Sequence, residues 1–159
     1  MYTFERKQKI PRTLDEVWDF FSTPKNLQEM TPESLNFEIL SENENKIYEG
    51  QIIEYRIEIM PGIKRRWTTE ISEVQERKEF VDEQIKGPYR YWHHRHTFEE
   101  AEDGVWMTDR VNFNMPFWIL GKLAYHSFVR NRLVEVFDFR SKYLVEKFDA
   151  LPAISAGCL

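Results

Sequence analysis

Gly87-Pro88-Tyr89-Arg90-Tyr91-Trp92-His93-His94-Arg95-His96-Thr97-Phe98 reads as a turn running into a strand. Side chains alternate across a strand, so Trp92, His94, His96 and Phe98 share one face. That face is apolar at both ends and carries two imidazoles between them. Burying imidazole without hydrogen-bond partners is costly, so the pattern predicts a polar cluster inside an apolar interior.

The chain downstream supplies a partner. If Glu99 to Gly104 contains a turn, the two flanking strands pair with residue numbers summing to 203 or 205, and His94 or His96 lies across from Asp109. Either register puts Met107, Asp109 and Val111 on the histidine face and turns Trp106, Thr108 and Arg110 away. A carboxylate on that otherwise apolar face needs a partner, and a facing imidazole is the nearest candidate. Upstream, parity is open. A two-residue turn at Gly87-Pro88 presents Val81, Glu83 and Ile85 to the histidine face, whereas an odd-length turn or a bulge presents Phe80, Asp82 and Gln84.

Period-two alternation continues outward. Ile53, Tyr55, Ile57 and Ile59 alternate with Glu54, Arg56 and Glu58, and Pro61-Gly62 turns the chain into a strand with Trp67, Thr69 and Ile71 on one side. Further strands are expected over 2–9, 79–86 and 105–113, and one ending near Leu40, with Phe37 and Ile39 inward and Leu35 a candidate beside them. Ser41 to Asn45 reads as a turn. Thr13 and Glu16 have the spacing of a capping box before the apolar run Val17, Trp18, Phe20, Phe21. A second short helix starts near Pro24, turns Leu27 and Met30 inward, and stops at Thr31-Pro32. After Pro116 the rhythm becomes helical: Leu123, Val129, Leu133, Phe137, Leu144 and Phe148 mark one helix from about Gly121 to Asp149. Tyr125, Phe128, Phe139 and Tyr143 add aromatics to its other sides, so it is expected to be largely embedded. His126 reads as an ordinary helix residue, and 151–159 as a flexible tail.

Composition narrows the function classes. The chain has 159 residues and a net charge of −5, and Lys64-Arg65-Arg66 is its only dense basic run. That balance excludes a nucleic-acid surface, which needs cations against phosphate. Twelve Phe, seven Tyr and five Trp favour large buried surfaces or an aromatic-lined pocket. The single cysteine, Cys158, permits no intrachain disulfide, and no stretch has the length of a membrane span. With no signal-peptide pattern at Met1-Tyr2-Thr3-Phe4, a cytoplasmic protein is expected. Walker, dinucleotide and Gly-x-Ser-x-Gly patterns are absent, so no cofactor is expected.

The order of elements is strand, two short helices, a run of antiparallel strands and one long helix. It matches the helix-grip fold: an α+β architecture in which a curved antiparallel sheet of about seven strands wraps a long C-terminal helix. Residues 1–150 read as one such domain. The chain resembles the SRPBCC superfamily of lipid-transfer, birch-pollen-allergen and polyketide-cyclase domains, and within it a bacterial branch of ligand-binding proteins. The resemblance rests on Leu14-Asp15-Glu16-Val17-Trp18, Thr31-Pro32, Phe37, Gly50 with Ile53 and Tyr55, and Trp67 with Ile71. It is strongest over Phe80, Asp82, Gln84, Gly87-Pro88-Tyr89, Trp92, His94, His96 and Phe98, and continues through Met107, Asp109, Val111, Pro116, Gly121, Phe137 and Arg140. It implies a cavity for an apolar small molecule and no defined reaction.

Three readings of the histidine strand compete: a buried network that sets sheet register, a polar handle for an apolar guest, and general acid–base chemistry with Asp109 orienting an imidazole. A metal is the fourth. Neighbouring same-face residues of a strand lie about 7 Å apart, so two imidazoles reach one ion only with converging rotamers, and no metal site is expected. Together these considerations favour a binding module for a small apolar or amphipathic ligand over a cyclase- or hydratase-like enzyme or a protein-interaction domain. The candidate ligand-binding residues are Tyr55, Trp67, Gln84, Trp92, His94, His96, Met107, Asp109 and Phe137, with none assigned as catalytic.

Overall fold

The computed structural model describes residues 1–41, 46–115 and 122–158, and side chains outside 122–127 and 155–158. The expected turn at 42–45, Pro116, Gly121 and the side chains of Leu123, Tyr125 and His126 lie outside the described residues. The elements are β1 (Tyr2–Ile10), α1 (Leu14–Phe21), α2 (Asn26–Glu29), a 3-10 turn (Glu33–Leu35), β2 (Glu38–Ile39), β3 (Ile52–Met60), β4 (Ile63–Gln75), β5 (Glu79–Lys86), β6 (Tyr91–Ala101), β7 (Gly104–Asn114), α3 (Lys122–Phe148) and β8 (Ile154–Cys158). The strands form one antiparallel sheet in the order β2-β3-β4-β5-β6-β7-β1-β8. Val129, Leu133, Phe137 and Leu144 on α3 are buried. This is the helix-grip arrangement.

Local chemistry explains the elements. Thr13 accepts from the Glu16 amide at 3.3 Å while the Glu16 carboxylate accepts from the Thr13 amide at 3.0 Å, closing the capping box that starts α1. Val17, Trp18, Phe20 and Phe21 then pack with Phe80, Phe98, Val105 and Met107, so α1 plugs one end of the sheet's inner face. Gly104 is required at the β6–β7 turn: its φ is +143°, and a Cβ there would meet the Ile10 carbonyl oxygen at 2.3 Å. Bulges between Thr68 and Thr69 and between Ile71 and Glu73 interrupt the β4–β5 ladder, where bulges bend and twist a sheet.

Three expectations need correction. The helix α3 is not largely embedded, since Phe128 and Phe139 are exposed. The strand ending near Leu40 is only Glu38–Ile39; Leu35 closes the 3-10 turn instead, and Asn36 follows in the left-handed region at φ 43°. The segment taken as a flexible tail forms β8 against β1. Without it, β1 would be an edge with unpaired backbone donors and acceptors. No helix among the described residues is long and apolar enough to cross a membrane.

Candidate functional site

Between β3–β6 and α3 lies a cavity of about 640 Å³. Its aromatic wall comes from the inward positions of β3, β4 and β6. Trp67 meets Tyr55 at 5.6 Å, Tyr89 at 5.4 Å and Trp92 at 5.1 Å between ring centroids. The Tyr55 hydroxyl is 3.0 Å from Thr69 Oγ1; burial first, then the charge of Asp82, pushes its pKa well above the ordinary tyrosine value. The Trp67 indole N–H is buried with no hydrogen-bond partner among the described residues. Ile53, Ile57 and Leu133 continue the apolar lining.

The floor is polar. Residue sums in the β6–β7 ladder are 205: His96 faces Asp109, and His94 faces Val111. In the β5–β6 ladder Asp82 faces His94 and Phe80 faces His96. An odd number of residues separates each such pair, which puts Asp82 on the histidine face. His94 donates from Nε2 to Asp109 Oδ1 at 2.9 Å, and His96 donates from Nε2 to Asp82 Oδ2 at 2.8 Å. His96 Nδ1 lies 2.8 Å from Asp109 Oδ1 but off the line of a hydrogen bond. His94 Nδ1 stands 3.3 Å from Asp82 Oδ2. The ring centroids are 3.8 Å apart with the planes tilted by 37°, so two imidazoles sit side by side between two carboxylates. From α3, Arg140 Nη1 reaches both Asp109 oxygens at 3.4 Å.

The electrostatics follow from burial and neighbours. Burial opposes ionisation of Asp109, yet the Arg140 charge, with His94 and His96, holds its carboxyl well below the ordinary carboxylate range. Asp82 is held down more mildly, by the charge of His94 and the hydrogen bond from His96 against the cost of burial. Burial and the charge of His96 lower His94. For His96 burial also acts downward, but the two carboxylates outweigh it and its pKa is raised.

Of the candidate residues, Tyr55, Trp67, Trp92, His94, His96 and Phe137 line the cavity. Three do not. Gln84 clamps the β5–β6 loop, donating to the Tyr89 carbonyl at 2.7 Å and accepting from the Tyr89 amide at 3.2 Å. Gly87 belongs to this clamp, since a Cβ there would fall 2.3 Å from Gln84 Oε1. Met107 shares the histidine face but sits farther along β7, packed in the core under α1. Asp109 is 3% exposed and lies behind the imidazoles. Asp82, Tyr89 and Arg140 line the cavity although none of them was among the candidate ligand-binding residues. Arg140 carried a readable signal: it falls on the stripe of Leu133, Phe137 and Leu144, and a charge on a buried stripe requires a partner.

The family model described as polyketide cyclase/dehydrase and lipid transport matches residues 10–137. A Mycobacterium smegmatis START superfamily protein superposes with a TM-score of 0.65 at 10% identity, covering 94% of this chain and 98% of the other. Protein CV1439 from Chromobacterium violaceum gives 0.69 at 12% identity, covering 94% and 99%. The di-domain ARO/CYC StfQ of the steffimycin biosynthetic pathway gives 0.71 at 12% identity, over 92% of this chain and 50% of that one. At these identities the likeness is one of fold. No curated protein matches the chain.

Proposed function

The chain belongs to the polyketide cyclase/dehydrase and lipid-transport family, and from that premise we propose that it binds a small apolar or amphipathic molecule between the sheet and α3. The observation carrying this is the cavity of about 640 Å³, aromatic and aliphatic over most of its wall, with polar groups gathered at one place. The apolar body of the guest packs on Trp67, Trp92, Tyr55 and Phe137, and its polar end meets the His94–His96–Asp82 floor. Every imidazole nitrogen of His94 and His96 lies within 3.3 Å of a carboxylate oxygen. That engagement favours an anchoring role over proton transfer to a guest.

The test is calorimetric titration with a homologous series of straight-chain primary alcohols. Each added methylene should tighten binding by about 0.8 kcal/mol until the cavity is full. Ile57→Trp, which fills the cavity from β3, should weaken the best alcohol more than 10-fold, with far-UV circular dichroism unchanged. Affinity that ignores chain length, or is untouched by Ile57→Trp in folded protein, would refute the reading.

A further inference from the structure

Two carboxylates flank the imidazoles, Asp109 buried and Asp82 half-buried, and among the described residues the surrounding elements supply one fixed cation. Arg140 neutralises Asp109 from α3. Arg6, which stands across from Asp109 on β1, is spent on Asp138 at 2.9 Å. The floor is therefore one positive charge short, and only a proton on an imidazole or a bound cation can supply it.

The directions of the ring nitrogens distinguish an inner from an outer side. His94 Nε2 and His96 Nδ1 both turn inward to Asp109 Oδ1, at 2.9 and 2.8 Å. The remaining nitrogens, His94 Nδ1 and His96 Nε2, turn to one oxygen, Asp82 Oδ2, at 3.3 and 2.8 Å. Because His94 carries its hydrogen on Nε2, its Nδ1 presents a lone pair toward a carboxylate, a contact that a cation relieves. The expected obstacle to a metal, the spacing of neighbouring residues on a strand, is overcome by rotamers that bring the two rings to 3.8 Å.

We propose that Asp82, His94 and His96 form a binding site for one divalent first-row transition ion, ligated through Asp82 Oδ2, His94 Nδ1 and His96 Nε2. One ligand atom from each residue lies within 4.8 Å of the others, so small side-chain shifts bring all three to the ~2.0–2.2 Å of a zinc-type site. Two imidazoles and a carboxylate suit zinc or ferrous iron rather than calcium or magnesium. Asp109 completes the design: its Oδ1 accepts from His94 Nε2 and lies 2.8 Å from His96 Nδ1, the nitrogens that do not bind the ion, and Arg140 holds it in place. Its side chain is 4% exposed, whereas that of Asp82, at 17%, lies on the cavity side. In the metal-free site the missing charge is the second proton of a His96 imidazolium; the ion displaces the Nε2 proton to solvent, and the neutral ring keeps its hydrogen on Nδ1, beside Asp109.

The test uses the intact chain stripped with a chelator and titrated with Zn2+ by calorimetry in two buffers of different ionisation enthalpy. The expected result is one ion per chain with proton release. Asp82→Asn and His96→Gln should abolish binding, and Asp109→Asn should weaken it by about 10–100-fold. Because the variants act on buried groups, imidazole 15N spectra of the unmutated protein give a second readout. Zn2+ should shift His94 Nδ1 and His96 Nε2 far more than the opposite nitrogen of each ring. The proposal is overturned by no stoichiometric Zn2+ uptake, by uptake that survives Asp82→Asn and His96→Gln in folded protein, or by unmoved imidazole spectra. Guest binding by the stripped protein is measured separately, so either reading can fail alone.

Discussion

Phe98 and Trp92 stand on the same face of β6, yet they look into different interiors. Phe98 is closed over by α1: Trp18 and Phe21 both sit 5.5 Å from its ring, and Phe80 lies beside it at 6.1 Å. Trp92 lines open volume shared with Trp67, Tyr89 and Phe137. His94 and His96 mark the border between the two. One strand pattern thus builds a packed half and a hollow half, and the difference comes from what the other elements place over it. An apolar inner face does not distinguish a core from a pocket.

The largest expected contrast is in stability. Phe98→Ala in the packed half should cost about 3–5 kcal/mol, because it opens a void in close-packed side chains. Ile57→Ala in the hollow half should cost about 1 kcal/mol or less, since its side chain already faces open volume. Urea unfolding of both variants checks this, and equal costs would erase the distinction between the halves. At the border, Asp109→Asn leaves the buried guanidinium of Arg140 without its carboxylate and should cost about 3 kcal/mol.

The border also carries a pH signature in metal-free protein, where Asp82, Asp109 and Arg140 face the two rings. His96 is raised above the ordinary 6.5, so its bound proton adds stability that is complete below pH 6.5 and fades as pH rises through the folded value. His94 is lowered from 6.5, so it acts the other way: its contribution is intact above pH 6.5 and erodes as pH falls toward the folded value. Imidazole NMR titration should find one midpoint on each side of 6.5, whereas a common midpoint near 6.5 would contradict the arrangement. The smallest effect belongs to the plug. Thr13→Ala removes the α1 cap and should cost about 1 kcal/mol, with alcohol binding unchanged.

Much of this was legible in the residues. Alternation over Ile53–Ile59, Trp67–Ile71 and Trp92–Phe98 marked strands and their inward faces, and hairpin parity alone put Asp109 beside the histidines. Asp82 was not placeable, because a loop of even or odd length at Gly87-Pro88 inverts the whole of β5. Gln84 follows the same parity, but at the strand end the loop backbone captured its amide. Met107 has the correct face, and only the position of α1, a tertiary fact, decides that it lies in the core. The β8 segment, with small residues and weak alternation, gave no strand signal of its own; it is recruited by the open edge of β1.

Native mass spectrometry of the purified protein beside Ile57→Trp tests the central claim most directly. The account predicts that the unmutated chain carries one small apolar or amphipathic adduct, or takes up one decanol when stripped, and that Ile57→Trp carries none. A bare chain that takes up no decanol, or an adduct held equally by both proteins, would contradict it.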